Sequence, residues 1–264
     1  MESLPVIFGL NLAAVVALMV GVWGLSLLLK NASIADIFWG LGFVLVAWLT
    51  FFFAQGYQGR KVLLTLLTTI WGLRLSLHIL RRNWGHGEDR RYQAWRASRG
   101  ASFWWVSLFS IFLTQGILLW LISLTVQVGQ SSPIPASLTG LDFLGILLWC
   151  AGLTFEAVAD WQLSRFKADP VNKGKVMNQG LWAYSRHPNY FGESLLWWGL
   201  FFIALATPYG WWALVSPVLI TFLLLRVSGV TLLEKDIVER RPEYREYMET
   251  TSAFIPWFPK RRAS

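Results

Sequence analysis

Apolar runs separated by short polar connections dominate the chain. Seven of them stand out, at residues 5–29, 33–54, 61–80, 103–127, 138–159, 190–207 and 210–230. A helix of about 20 mostly apolar residues crosses the hydrocarbon core of a bilayer, so the pattern predicts seven transmembrane helices. Only Met1 to Leu4 precede the first run, which opens at Pro5. With no basic stretch ahead of it and a long core, that run reads as a span and not as a cleaved signal peptide. Neither a soluble domain nor an internal repeat interrupts the series. The expected fold is all-α, a polytopic membrane protein forming a single membrane-embedded domain over residues 1–264.

Composition agrees with the pattern. The 264 residues are 55% apolar and 16% aromatic, and only 14% are charged, against roughly 25% in ordinary soluble domains. The net charge of +8 does not form one continuous basic face, and nucleic acid is not an expected partner. The basic residues fall between apolar runs and orient them. Placing the N-terminus outside puts Lys30, then Arg81 to Arg99, then Arg165 to Arg186, and the tail from Lys235 on the inner side, with the C-terminus cytoplasmic. Residues 127–140 and the turn at Thr207 carry no Lys or Arg; Arg60 and Lys61 alone break the rule. The single cysteine, Cys150, allows no intramolecular disulfide, and no His and Cys cluster has metal-ligand spacing, His86 and His187 being isolated.

On this topology the polar residues of the spans gather at the inner side. Asp36 lies about one turn into the second run and His78 near the inner end of the third. Glu156 and Asp160, four residues apart, share a face of the fifth. Arg186, His187, Asn189, Tyr190 and Glu193 open the sixth. Each has a plain structural reading: Arg186 and His187 as part of the basic belt, Asp160 as a solvated helix end, Ser33 and Asp36 as a capping box, and His78 as an interfacial histidine. Glu193 is harder to dismiss, since it is followed at once by SLLWWGLFFIAL. An ionisable group in that setting faces a protein interior or a wet cavity and has a partner. Pro188 suits the first turn of a helix, whose free N–H groups would favour a phosphate or carboxylate.

The stretches SIADIFWGLGF near Asp36, RRNWGHGEDRRYQAWR from Arg81, FEAVADWQLSRFK and NQGLWAYSRHPNYFGE together resemble the steroid 5-alpha-reductase superfamily, and within it the bacterial branch called DUF1295. The resemblance implies a seven-helix enzyme in a bacterial inner membrane that takes NADPH from the cytoplasmic side. It would reduce an activated carbon–carbon double bond in a hydrophobic, lipid or steroid-like substrate. Residues 5–127 would supply four helices lining the substrate cavity, and residues 138–264 three helices and a tail forming the cofactor site. Carried over residue by residue, the cofactor set comprises Asp160, Arg165, Lys167, Tyr184, Arg186, His187, Asn189, Tyr190, Glu193, Arg226 and Glu234. The proton-donating acid is left among Asp36, His78, Glu156 and a water. The chain differs from the steroid enzymes in offering Asp36 where they have a Gln-Glu pair, and no tyrosine on the third helix. Val230 and Glu234 stand near positions where relatives carry histidine and tyrosine.

RHPNY followed by glycine, and then LLEKDIVERRPEYREYMETTSAFIPW, also resemble the isoprenylcysteine and phospholipid methyltransferases, which use S-adenosylmethionine. Glu234 would be the matching acid there, and Glu193 favours the reductases. In the third connection, Arg90, Arg91 and Arg96 could cover a ribose phosphate or rest on lipid headgroups, with Tyr92 in the same lid. The tail from Glu234 to Tyr247 reads as a short amphipathic helix broken at Pro242. FIPWFPKRR reads as a return to the membrane surface, with Phe254, Trp257 and Phe258 dipping in and Lys260 to Arg262 at the headgroups. Membrane lipids are thus expected partners, while the oligomeric state is left open.

Overall fold

The computed structural model describes residues 3–227, 230, 234, 237–238, 241 and 243–260. They are helical throughout, with no strand among the described residues. In chain order the helices are α1 (Leu4–Leu29), α2 (Ile34–Phe53), α3 (Gln58–Asn83), α4 (Arg90–Arg99), α5 (Phe103–Ser107), α6 (Thr114–Ile122), α7 (Leu124–Ser131), α8 (Gly140–Ala168), α9 (Pro188–Leu205), α10 (Val215–Phe222) and α11 (Tyr244–Thr250). A π-helical segment, Leu108–Leu113, joins α5 to α6, and another, Leu223–Val227, extends α10. The expected break at Pro242, the last two residues of the seventh run save Val230, and Arg261 and Arg262 lie outside the described residues.

Among the described residues, six stretches are long and apolar enough to cross a membrane: Leu4–Leu29, Ile34–Phe53, Gln58–Asn83, Arg90–Ser131, Gly140–Ala168 and Gly210–Val227. The chain is therefore an integral membrane protein by length and composition. The remaining run is α9, which is helical as expected but does not meet that criterion. It opens on polar residues, and Leu196, Trp197, Leu200, Ile203 and Ala204 are fully buried. A helix enclosed by protein need not be apolar all round to be stable.

The chain divides into two compact units. The first runs to Asp142 and includes Ile203–Ser216. Its helices α2 and α3 lie close enough that a methyl on Gly72 would meet the Gly40 carbonyl oxygen at 2.6 Å, and the Ser76 hydroxyl donates to the Ile37 carbonyl. Inside it, Asn11 on α1 donates to the Thr50 hydroxyl of α2 and to the Gln127 side chain of α7, at 2.9 and 3.0 Å. Arg60 and Asp142, both 0% exposed, form a bidentate pair at 2.8 and 3.0 Å. Arg60 also donates to the Pro135 and Ser137 carbonyls. This pair explains why Arg60 defies the loop-charge rule: its charge is neutralised inside the protein, where it closes the connection before α8.

The second unit comprises Phe143–Phe202 and the chain from Pro217 onward. Here α8 and α9 pack backbone to backbone. A Cβ on Gly192 would stand 2.5 Å from the Glu156 nitrogen and from the Gly152 oxygen; one on Gly199 would stand 2.6 Å from the Gly145 oxygen. Glycines seven residues apart on each helix keep this seam closed over two turns. The corner before α9 is fastened to α8 by the Trp182 indole, which donates to the Ala159 carbonyl at 3.1 Å, and by Leu181 N–H, which donates to Gln162 at 3.0 Å.

Candidate functional site

The α8–α9 seam builds a row of acidic and amide groups in the second unit. Glu156 is 2% exposed, and Asp160 and Glu193 are also buried. Asn189, on the first turn of α9, donates through Nδ2 to Asp160 Oδ1 at 3.1 Å, while its Oδ1 is buried without a hydrogen-bond partner. Gly192 lies against the Glu156 backbone. Asn189 and Asp160 are thus joined across the seam, while Glu156 and Glu193 are buried on the same two helices.

A second group is engaged differently. Arg186 grips Glu234 with two parallel bonds, at 2.7 and 3.1 Å, and gives its remaining nitrogen to the Met248 and Thr251 carbonyls. His187 Nε2 lies 3.0 Å from Glu234 Oε1, so that nitrogen is the donor to the carboxylate, and its ring stacks on Tyr190 at 5.6 Å. Burial raises the Glu234 carboxyl, but the His187 bond and the Arg186 charge outweigh it and hold the group below the usual carboxylate range. Tyr247 donates to the Trp182 and Ser185 carbonyls. The RHP corner and the tail are therefore locked together by buried charge.

The other members of the set lie at the surface. Arg165, Lys167, Tyr184 and Arg226 are exposed, with the Arg165 guanidinium 5.3 Å above the Trp161 ring and Tyr184 edge-on to Phe258. An open cavity of about 650 Å³ sits under the tail, lined by Asn178, Glu243, Glu246, Thr250 and Lys260 and not by the acidic row.

Asp36 and His78 belong to the first unit. Asp36 does not cap α2: Ser33 makes no capping bond, and its hydroxyl instead meets Asn31 and the Asp89 N–H. The Asp36 carboxylate accepts from the Tyr92 hydroxyl at 2.6 Å, from Gln115 Nε2 at 3.3 Å and from Arg91 at 3.2 Å. That fixes the Gln115 amide, since the opposite flip would set its oxygen against a carboxylate; Gln115 Oε1 is then buried without a partner. The π-helical segment just before α6 shifts the phase on which Gln115 emerges. His78 is half-buried on α3, two residues beyond Ser76. Glu88 holds the Ala32 N–H at 2.7 Å and Arg96 at 2.8 and 2.9 Å. Burial raises Glu88, yet these contacts bring it below the ordinary range. Arg91 and Arg96 are thus paired within the first unit. Sequence reading put Tyr92 in a lid and not beside Asp36, and missed Gln115 and Glu88; a tyrosine and a glutamine at separations of 56 and 79 residues from Asp36 leave no local signal.

Residues 22–251 match the family described as "Protein of unknown function (DUF1295)". The chain belongs to the DUF1295 family. An uncharacterised protein of the fission yeast Schizosaccharomyces pombe is 25% identical over 286 aligned positions, covering 96% of this chain and 80% of the yeast protein. A protein of Ustilaginoidea virens described as a probable O-methyltransferase is 41% identical over 46 residues, 17% of this chain and 16% of that one. No solved structure matches. As a DUF1295 member, the chain carries its family identity across both units, from α1 to the end of α11.

Proposed function

We propose that this DUF1295 protein is a membrane-embedded reductase that uses NADPH to saturate an activated double bond in a hydrophobic, lipid or steroid-like substrate. The observation that carries the reading is the α8–α9 pair of the second unit, where Asn189 is bonded to Asp160 and the same two helices bury Glu156 and Glu193. A membrane protein retains several buried acids in one seam only where they have partners or a task. The row fits the cofactor chemically: a nicotinamide carboxamide needs acceptors for its NH₂, and the unpartnered Asn189 oxygen and the carboxylates are acceptors. The exposed cations Arg165, Lys167 and Arg226 are the residues of the same unit that would hold its phosphates. NADPH, when bound, would supply hydride chemistry, and the proton that completes the reduction would come from the buried Glu156 of the same unit or from a water. Arg186, His187 and Glu234 act as positioning residues, holding the corner from which α9 starts. The membrane is proposed to be a bacterial inner membrane, although a relative of 25% identity comes from a yeast.

The test is a thermal-shift titration of detergent-purified protein with NADPH, NADH and S-adenosylmethionine. A ligand at 100 times its dissociation constant stabilises the native state by about 2.7 kcal/mol. NADPH should raise the midpoint, the gain should vanish in Asn189→Ala and Glu193→Ala, and Tyr92→Phe should keep it. Stabilisation by S-adenosylmethionine alone would instead support methyl transfer. The short match to the O-methyltransferase favours that second reading.

A further inference from the structure

The tail ends in a strap, Thr251–Lys260, with no regular structure of its own but many ties to the RHP corner. Arg186 N–H donates to the Ser252 carbonyl at 2.9 Å, the Ser185 hydroxyl to the Phe254 carbonyl at 2.8 Å, and Trp257 N–H to the Tyr184 carbonyl at 2.9 Å. Lys260 N–H donates to the Thr250 carbonyl, and Phe254 is turned inward against Phe191 at 5.9 Å. Phe254, half-buried, packs on α9 through this contact. Its neighbours face the other way: Ile255, Trp257 and Phe258 are 64%, 70% and 75% exposed. A backbone this firmly held presents those side chains by design of the fold and not by looseness. Three adjacent bare apolar groups mark a contact surface.

The height of the strap identifies the contact. It hangs from residues 184–186, and that corner is fastened to α8 at Ala159 and Gln162. These lie some twenty residues from the start of α8 at Gly140, and at 1.5 Å per residue that is about 30 Å, the thickness of a bilayer core. Trp161, exposed on α8 at the same level with Arg165 over its ring, is the residue pair expected at a headgroup boundary. The strap thus meets the headgroup layer. Arg165, Lys167, Lys173, Lys175 and Lys260 are exposed basic groups of this unit, with Glu243 and Glu246 lining the same cavity as Lys260, and the sequence continues with the basic pair Arg261 and Arg262.

We propose that Thr251–Lys260 is a membrane-surface anchor that seats Ile255, Trp257 and Phe258 among anionic phospholipid headgroups, and so couples the lipid surface directly to the RHP corner. The experiment uses full-length protein carrying Phe258→Cys in a Cys150→Ser background, labelled with bimane. It is placed in nanodiscs of phosphatidylcholine alone or with phosphatidylglycerol, each containing lipid spin-labelled at headgroup depth. We expect the anionic discs to quench the label at least about twofold more than the neutral ones. We also expect the difference to disappear when Lys260, Arg261 and Arg262 are all changed to Gln. A label quenched by aqueous iodide but by neither lipid overturns the anchor, and equal lipid quenching in both discs overturns the anionic preference. An unchanged thermal midpoint in each variant confirms that the fold is intact.

Discussion

Glu234 stands 48 residues from Arg186 along the chain, yet the two form a buried, doubly bonded pair. Its energetic weight follows from where it sits. Taking one partner out of a buried ion pair leaves the other charge desolvated and unpaired, which costs about 3–5 kcal/mol. Glu234→Gln should therefore lower the stability of the protein in detergent by about that amount in a denaturant titration near neutral pH. The pH dependence has a definite sign. The folded Glu234 pKa lies below the ordinary 4.5, so the stabilisation is complete above that value and fades as pH falls through the lower folded one. Thermal midpoints measured from about pH 6 down to pH 3 should fall more steeply for the natural protein than for Glu234→Gln. Parallel curves would mean that the pair is not coupled to folding.

At the scale of elements, the α8–α9 seam is the feature on which the candidate site depends, and glycine is what permits it. A methyl at Gly192 meets backbone atoms at 2.5 Å on the facing helix, and backbone cannot swing aside as a flexible side chain can. Gly192→Ala should cost about 1–3 kcal/mol by overpacking and should weaken ligand binding by moving Asn189 away from Asp160. Gly21→Ala, where nothing lies within 4 Å, is the matched control and should be neutral or slightly stabilising in the same melt. Much of the seam was legible beforehand. The four-residue spacing of Glu156 and Asp160 and the Asn-x-x-x-Glu spacing of α9 put each pair on one helical face whatever the tertiary fold. The pairing of Arg186 and His187 with Glu234, of Arg60 with Asp142, and of Asp36 with Tyr92 was not legible. Those contacts join residues 47 to 82 positions apart, and no local period encodes them. The sequence pattern also could not distinguish a helix facing lipid from α9, whose apolar residues are buried in protein.

For the whole molecule the count of crossings decides on which side each end emerges. Six stretches satisfy the length and apolarity that a lipid-exposed helix needs, and α9 is an eighteen-residue helix alongside them. At 1.5 Å per residue it spans about 27 Å, enough to cross a slightly thinned bilayer while its polar first turn stays at the surface. The glycine seam that α9 forms with α8 runs from Gly145 to Glu156, within a stretch long and apolar enough to cross. Seven crossings place the two termini on opposite sides of the membrane, whereas six would place them on the same side. The basic residues at both ends of the loop between α3 and α5, and in the stretch from Arg165 to Arg186, then favour the side on which the tail emerges. In a Cys150→Ser background, single cysteines at Ser3 and at Ser252 should react with an impermeant maleimide from opposite faces of sealed, oriented vesicles. Labelling of both from one face would reduce α9 to a half-inserted helix, and the acidic row would then open toward the surface instead of lying within the membrane.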